Sequence, residues 1–276
     1  DKPEHQYVIG QMRDHFGTLL ASFEQANSQA LELPGWEIDV PYGRHPREFF
    51  DVLPAGPEAF GTLLYFHAGY WQSRDKSQFR FLAPAFNALG WHMALVNYPL
   101  CPDVTVGGIV QSVRQSLEHV AHHQQQLGRT GPLVLCGHSA GAHLAVELAL
   151  QAEQLSWLKI AGVLAISGVF DLQPLVSTSL NARLKLDAAS AWDFSPLFRA
   201  QKAGVPALFV VGQTETSAFH KQSQSMAGQW QFQGEEAQCH AVTGADHFSV
   251  LQVIAAKNGL VARTLQAWAE NTDRAP

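Results

Sequence analysis

The amino-acid sequence predicts an α/β fold in which a mostly parallel central sheet is covered by helices on both faces. First, apolar runs of strand length alternate along the chain with segments of helical spacing, and such alternation builds a parallel sheet. Second, 276 residues, of which 46% are hydrophobic and 15% charged, can bury a large core as one domain over residues 1–276. Third, the apolar run 132–136 is followed by a turn and a helical segment, which together indicate a strand–turn–helix unit.

The first elements precede this alternation. Met12–Phe23 has the apolar spacing of a helix, and residues 36–42 and 47–53 indicate a hairpin around residues 43–46. Strands and helices alternate after that point. We predict strands at Gly61–Phe66, Trp91–Asn97, Pro132–Cys136, Ile160–Ser167, Val205–Val211 and Ala237–Thr243, and helices at Asp75–Leu89, Val110–Gln126 and Ala142–Leu150.

One interval between two predicted strands breaks the alternation. From about residue 171 to residue 198 the sequence is rich in loop signals and contains Pro174, Asn181 and Trp192. An insertion at this point predicts a small lid which, together with the N-terminal helix, roofs a pocket and excludes water. A surface excursion with no part in substrate choice is the alternative.

A five-residue motif, Gly137-His138-Ser139-Ala140-Gly141, lies at the turn between a predicted buried strand and a predicted helix. This pattern is typical of a nucleophile elbow, in which a serine on a tight turn is lifted clear of the sheet. The flanking glycines are needed because a side chain at either position would clash with the neighbouring strand and helix. Ser139 is therefore the predicted nucleophile.

An elbow of this kind requires an acid and a histidine later in the chain, each following a further strand. Glu215 follows the predicted strand 205–211, and His247 follows the predicted strand 237–243. We predict Glu215 as the acid and His247 as the base. Asp171 and Asp246 are the alternatives for the acid, although Asp246 is adjacent to His247 and poorly placed to reach its ring.

The loop 67–71, with the sequence HAGYW, follows a predicted strand and supplies the remaining component. It matches the turn whose backbone amides join the amide after the nucleophile in binding an oxyanion. We predict the N–H groups of Gly69, Tyr70 and Ala140 as these donors. Ala68 stands where such turns commonly have glycine, and its side chain would be strained if the position needs a positive φ.

Together these residues predict acyl transfer to water. Ser139 would attack a carbonyl carbon while His247 takes its proton and later returns it to the leaving amine or alcohol. Glu215 would hold the imidazole in one tautomer and stabilise the imidazolium. His67 and His138 are better explained as hydrogen-bonding braces of their loops than as proton-transfer groups.

Several segments of the chain resemble one branch of the α/β-hydrolases, and the similarity extends from about residue 42 to residue 253. The segments that carry it include 67–71, 137–143, 166–172, 212–215 and 247–249. The chain is similar to the kynurenine formamidase (arylformamidase) family. The resemblance implies an α/β-hydrolase fold, hydrolysis of N-formylkynurenine to kynurenine and formate in tryptophan catabolism, an aromatic-lined pocket and no cofactor.

Aromatic residues on the predicted catalytic loops are candidates for that pocket. Tyr70, Trp71 and Phe248 lie on loops above the sheet, where side chains are not needed for packing. We predict these three as substrate-binding residues. Such walls suit an anilide leaving group, and they also suit the acyl or alcohol part of many esters.

Composition and charge exclude several classes of partner. A net charge of −6 without clusters indicates neither nucleic acid nor a membrane surface. Three cysteines leave at least one unpaired, and the lack of an apolar stretch of transmembrane length or a secretory signal pattern favours the cytoplasm. Histidines 119, 122 and 123 share a predicted helix without a metal-ligating constellation. We predict a small-molecule substrate and no metal, and leave a homodimer open.

Three functional hypotheses remain open at this point. The first is an arylformamidase, and the second is a general carboxylesterase for short acyl esters, which would use the same three residues. The third is a non-catalytic binder on a hydrolase scaffold, which the loss of Ser139 or His247 would have favoured.

Overall fold

The structure is a computed structural model that describes residues 2–11 and 13–273. Within these residues the strands are β1 (Glu37–Pro41), β2 (Phe49–Leu53), β3 (Gly61–Phe66), β4 (Trp91–Val96), β5 (Leu133–His138), β6 (Ile160–Ile166), β7 (Ala207–Gly212) and β8 (Ala237–Val242). They form one eight-stranded sheet in the order β1-β2-β4-β3-β5-β6-β7-β8. β2 pairs antiparallel with β1 and with β4, whereas all the other neighbours are parallel. The predicted mostly parallel sheet is confirmed.

Helices cover both faces of this sheet. In the described residues they are α1 (Pro3–Tyr7), α2 (Phe16–Leu31), α3 (Leu82–Asn87), α4 (Val106–Gln126), α5 (Ala140–Ala149), α6 (Asn181–Leu184), α7 (Ala188–Asp193), α8 (Pro196–Arg199), α9 (Ser217–Phe232), α10 (Val250–Val253) and α11 (Leu260–Asp273). Helices α4, α5 and α9 share one hydrophobic core with the sheet, and α2, α3, α10 and α11 share the other. No helix in this part of the chain has the length and apolar character needed to cross a membrane.

Strand β5 shows why the central strands are continuously apolar. Leu133 and Leu135 pack into the first core, while Val134 and Cys136 pack into the second. Successive side chains of a strand point to opposite faces, so a strand covered on both sides needs apolar residues at every position. The whole of β5 is buried.

The predicted helix Asp75–Leu89 is wrong, because two short elements occupy that interval. Asp75 and Gln78 form a capping box that starts a 3₁₀ turn over Lys76–Phe79, and α3 follows separately. Pro84 has no N–H to donate within a continuous helix, and it lies in the first turn of α3, where that bond is not needed. The predicted N-terminal helix begins at Phe16, and Met12 lies outside the described residues.

The interval 171–198 separates β6 from β7 and contains α6, α7 and α8 after a 3₁₀ turn over Gln173–Ser177. The loops that follow β3, β5, β6, β7 and β8 all leave the sheet at the carboxyl ends of parallel strands. Open α/β sheets bind their ligands at this edge. The fold therefore brings the predicted site segments to one side of the molecule.

Candidate active site

Ser139 lies between β5 and α5 in a backbone conformation that few non-glycine residues adopt. Its φ is 57° and its ψ is −118°, and it is the N-cap residue of α5. A Cβ atom on Gly137 would overlap the carbonyl of Gly141, and a Cβ on Gly141 would overlap the carbonyl of Phe66 on β3. The two glycines therefore permit the sharp turn that presents the serine, and strain of this kind is concentrated at functional sites.

The loops after β7 and β8 bring a carboxylate and an imidazole together. Oε2 of Glu215 lies 2.8 Å from Nδ1 of His247. Oε1 of Glu215 accepts hydrogen bonds from the N–H of Gly212 at 2.7 Å and from the hydroxyl of Ser167 at 2.5 Å. The side chain of Glu215 is fully shielded from solvent. Because Nδ1 faces a carboxylate, that nitrogen carries the proton, and Nε2 is left to accept one.

The two alternative acids have other partners. Oδ1 of Asp171 accepts a hydrogen bond from the N–H of Gln173. Asp246 accepts hydrogen bonds from the N–H and hydroxyl of Ser249, and its Oδ2 lies 2.8 Å from Nε2 of His15. The structure thus places Glu215, and neither aspartate, in hydrogen-bond contact with the ring of His247.

Ser139 and His247 border the same cavity. In the described part of the chain, the hydroxyl of Ser139 makes no hydrogen bond to His247 or to any other residue. Hydrogen bonds between catalytic groups are often long in unliganded enzymes and shorten when the substrate binds. The ring of His247 is held from the side by Phe219, with ring centroids 4.6 Å apart.

A second histidine supports the loop that carries His247. The Nε2–H of His138 donates a hydrogen bond of 2.6 Å to the backbone carbonyl of His247. Burial lowers the pKa of His138 well below its usual value, so the ring is neutral. His67 is likewise buried: its ring stacks on Tyr98 at 4.2 Å, and burial lowers its pKa to about 4. Both histidines brace loops, in line with the sequence interpretation.

The loop after β3 makes a sharp turn beside the cavity that Ser139 borders. Gly69, Tyr70 and Trp71 have φ values of 127°, 49° and 57°, which turn the chain sharply. Among the backbone hydrogen bonds of the described residues, none uses the N–H of Gly69, Tyr70 or Ala140. These three donors remain available to a ligand. Ala68 is not among the residues with positive φ, so the strain considered at that position does not arise.

The cavity beside Ser139 has a volume of about 220 Å³ and mostly apolar walls. Of the three predicted substrate-binding residues, Tyr70 and Phe248 line it. Trp71 does not belong to the cavity wall: its side chain is fully buried and packs edge-on against His143, with ring centroids 5.0 Å apart. Although Tyr70 and Trp71 are adjacent, the turn directs one ring to the cavity and the other into the core.

The roof of the cavity comes mainly from the N-terminal segment. Tyr7, Val8, Gln11 and Phe16 line it, whereas the predicted lid 171–198 contributes one lining residue, Leu180. The hydroxyl of Tyr70 donates a hydrogen bond of 2.5 Å to the carbonyl of Tyr7. The amide Nε2 of Gln222 donates one of 2.8 Å to the hydroxyl of Tyr7.

The sequence analysis did not identify two polar residues of the site, Ser167 and Arg74. Ser167 donates to Glu215, and its position directly after β6, beside the loop of β7, was the available signal. Arg74 lines the cavity, but no motif marks it. Within the described residues, no group of three or more His, Cys, Asp and Glu side chains is arranged to hold a metal ion.

Comparisons with known proteins show which family, relatives and solved structures this chain resembles. The model of a family described as having an alpha/beta hydrolase fold matches residues 63–251. The chain is 33% identical to a kynurenine formamidase of Danio rerio over 92% of its own length and 87% of the relative's, and 30% identical to one of Salmo salar over 87% and 83%. A crystal structure from Silicibacter sp. TM1040, provisionally described as a thioesterase, has a TM-score of 0.80 at 27% identity and covers 95% of this chain and 96% of its own. An esterase from Pyrobaculum calidifontis has a TM-score of 0.73 at 17% identity, with coverages of 93% and 90%.

Proposed function

Because the chain belongs to the alpha/beta hydrolase family and is a hydrolase similar to kynurenine formamidases, we propose that it hydrolyses the formamide of N-formylkynurenine through Ser139, His247 and Glu215. Family membership confirms the resemblance found in the motifs, and it sets aside the non-catalytic hypothesis. The observation that carries the proposal is the buried hydrogen bond between Glu215 and His247 at the cavity that Ser139 borders.

In the proposed first half-reaction, Oγ of Ser139 attacks the formyl carbon while its proton passes to Nε2 of His247. The carbonyl oxygen becomes an oxyanion, which the N–H groups of Gly69, Tyr70 and Ala140 stabilise. Glu215 stabilises the imidazolium that forms. The C–N bond then breaks, and the amine leaves with the proton of His247, so that a formyl ester of Ser139 remains.

In the second half-reaction, His247 takes a proton from water and the resulting nucleophile attacks the formyl ester. The oxyanion forms in the same cradle, the ester bond breaks, and the proton returns to Oγ of Ser139. Formate is released. The reaction consumes one water and needs no group beyond those of this chain.

The cavity supports a small substrate of this kind. Its volume of about 220 Å³ lies below the range of roughly 300–1,000 Å³ that is common for drug-sized ligands. The rings of Tyr70, Phe16 and Phe248 suit an aromatic leaving group. A formyl group needs the least room of any acyl group at the serine.

The test compares two substrates under identical conditions. We expect kcat/KM for N-formylkynurenine to exceed that for 4-nitrophenyl acetate, and Ser139→Ala to remove both activities. A preference for the ester would instead support a general carboxylesterase with the same three residues. Formate release and nitrophenol absorbance provide the two readouts.

A further inference from the structure

The catalytic cavity has one wall residue with a permanent charge. Of the thirteen residues that line it in the described structure, Arg74 alone is a lysine, arginine, aspartate or glutamate. Its side chain is partly buried, and burial lowers the pKa of its guanidinium. A cation that faces an apolar cavity loses hydration, which has to be replaced by a partner of opposite charge.

No carboxylate of the described protein supplies that partner. Arg74 forms none of the ion pairs among the described residues, and its guanidinium lies over the ring of Phe248, whose centroid is 5.8 Å from Cζ. Phe248 lines the same cavity. The guanidinium is thus held over an aromatic wall, with its hydrogen-bond donors unused.

The stem of Arg74 runs beside the proposed oxyanion cradle. A Cβ atom built on Gly69 would lie 2.9 Å from Cγ of Arg74, so the two residues are in contact. The backbone of Arg74 is fixed by a hydrogen bond of 2.7 Å from Nη2 of Arg47 to its carbonyl. Its φ is 75°, a conformation that glycine adopts without strain, yet the position carries a long cationic side chain.

We propose that Arg74 is the specificity-determining residue of this site and that it binds a carboxylate on the leaving group of the substrate. The proposal rests on the proposed hydrolysis at Ser139 and adds a substrate class to it: acyl anilides and aryl esters whose leaving group carries a carboxylate. A guanidinium pairs with a carboxylate through two parallel hydrogen bonds, which fixes orientation as well as affinity. The net charge of −6 does not attract anions to the protein, so recognition has to be local.

The decisive experiment measures the ratio of kcat/KM for a substrate with a carboxylate to kcat/KM for the same substrate without it. N-formylkynurenine is compared with its carboxamide, which has the same shape but lacks the negative charge, in the wild-type protein and in Arg74→Gln. We expect the ratio of the two kcat/KM values to fall by about ten- to a hundredfold in the variant, mainly through KM. Arg74→Lys should keep part of the preference, because it retains the charge without the planar fork. An unchanged ratio in Arg74→Gln would overturn the proposal.

Glu24 provides the matched control. It lines a smaller neighbouring cavity that Arg74 and Phe248 also border, and its side chain is exposed. We expect Glu24→Gln to leave the ratio unchanged. If Glu24→Gln instead reproduced the loss seen in Arg74→Gln, the arginine would act through a protein carboxylate and the proposal would be wrong.

A second substrate pair separates this proposal from the proposed formamidase activity. 4-Acetoxybenzoate and 4-acetoxybenzamide also differ by a carboxylate in place of a neutral carboxamide, but both are esters. If the wild type cleaves these esters and neither formamide, the formamidase proposal fails, while the ratio for the ester pair still tests Arg74. Arg74→Gly relieves the positive φ and serves as the second variant if Arg74→Gln does not fold.

Discussion

The floor and the roof of the candidate active-site cavity are attached to the fold in different ways. The floor consists of Ser139, Glu215 and His247, which follow strands β5, β7 and β8 of the parallel sheet. The roof consists of Tyr7, Val8, Gln11 and Phe16, which precede the first strand. Backbone strain and a buried carboxylate fix the floor, whereas side-chain hydrogen bonds hold the roof to distant parts of the chain.

In the proposed reaction, this difference separates the groups that carry out the chemistry from those that select the substrate. Groups that stabilise a transition state have to be held rigidly, which the ends of buried strands achieve. The roof segment is held by side-chain hydrogen bonds, each with a net value of about 1 kcal/mol, and by the burial of Tyr7 in the first core. We therefore expect substitutions in the floor to lower kcat and substitutions in the roof to act mainly on KM.

Ser139→Ala tests the floor most severely. Without the hydroxyl no formyl ester can form, and we expect kcat to fall by about a millionfold for formamide and ester substrates alike. Single-turnover measurements on purified protein give the residual rate. The matched control is Ser223→Ala on α9, which removes a buried hydroxyl without a hydrogen-bond partner in the described structure. If Ser139→Ala were as active as Ser223→Ala, Ser139 would not be the nucleophile.

Glu215→Ala addresses the acid within the same floor. The imidazolium of His247 loses its buried counter-charge, and we expect kcat to fall by about a thousand- to ten-thousandfold, less than in Ser139→Ala. Asp171→Ala is the comparison, because that aspartate follows β6 and has no contact with His247. If Glu215→Ala left kcat unchanged while Asp171→Ala lowered it strongly, the acid would be Asp171 and not Glu215.

The floor could be predicted from the sequence because each of its residues immediately follows a recognisable strand. Ser139 and Glu215 lie after continuous apolar runs, His247 follows a strand in which polar and apolar residues alternate, and parallel strands bring their carboxyl ends to one edge. The pattern did not identify Ser167, because its position directly after β6 is one that ordinary loop residues also occupy and does not by itself indicate a donor to Glu215. The direction of a side chain depends on backbone angles that residue types alone do not determine.

The roof and the loop before it were not predictable in the same way. Gln222 contacts Tyr7 across 215 positions of sequence, and no local periodicity encodes a contact of that range. The ring of Trp71 turns to the core because consecutive residues with positive φ rotate the chain at this point. Pro84 has no N–H to donate and lies in the first turn of α3, so the helix that the apolar spacing indicated over Asp75–Leu89 is interrupted before it.

Asp75→Asn tests how firmly the loop that carries Arg74 is joined to Asn97, which follows β4, and to Arg47, which precedes β2. Burial alone would raise the pKa of Asp75, but hydrogen bonds from Ser77 and Asn97 and the charge of Arg47 lower it to about 2. A carboxyl group whose pKa is lowered in the folded state stabilises the fold at pH values above 3.8, which is its pKa in the unfolded chain. This contribution is lost as the pH falls from 3.8 towards 2. We expect Asp75→Asn to lower the free energy of unfolding by about 1 kcal/mol at pH 7, after allowance for partial exposure.

Urea unfolding between pH 7 and pH 2.5 measures this effect. The difference between the wild type and Asp75→Asn should be constant above about pH 5 and shrink below pH 4. Asp187→Asn is the control, since Asp187 also forms a capping box, at α7, but is exposed and lacks the partners at Asn97 and Arg47. An equal loss in both variants would mean that capping alone, and not the contacts with Asn97 and Arg47, explains the role of Asp75.

Tyr70→Phe has the smallest expected effect and distinguishes the roof from the floor most directly. The ring still lines the cavity and the backbone N–H of residue 70 is unchanged, so only the hydrogen bond from its hydroxyl to the carbonyl of Tyr7 is lost. We expect KM to rise by about two- to tenfold with little change in kcat. Tyr65→Phe removes a buried hydroxyl that has no partner in the described structure, and it should leave both constants unchanged. If Tyr70→Phe lowered kcat as steeply as Glu215→Ala does, the N-terminal segment would have to be counted as part of the catalytic floor, because only groups that stabilise the transition state change kcat in that way.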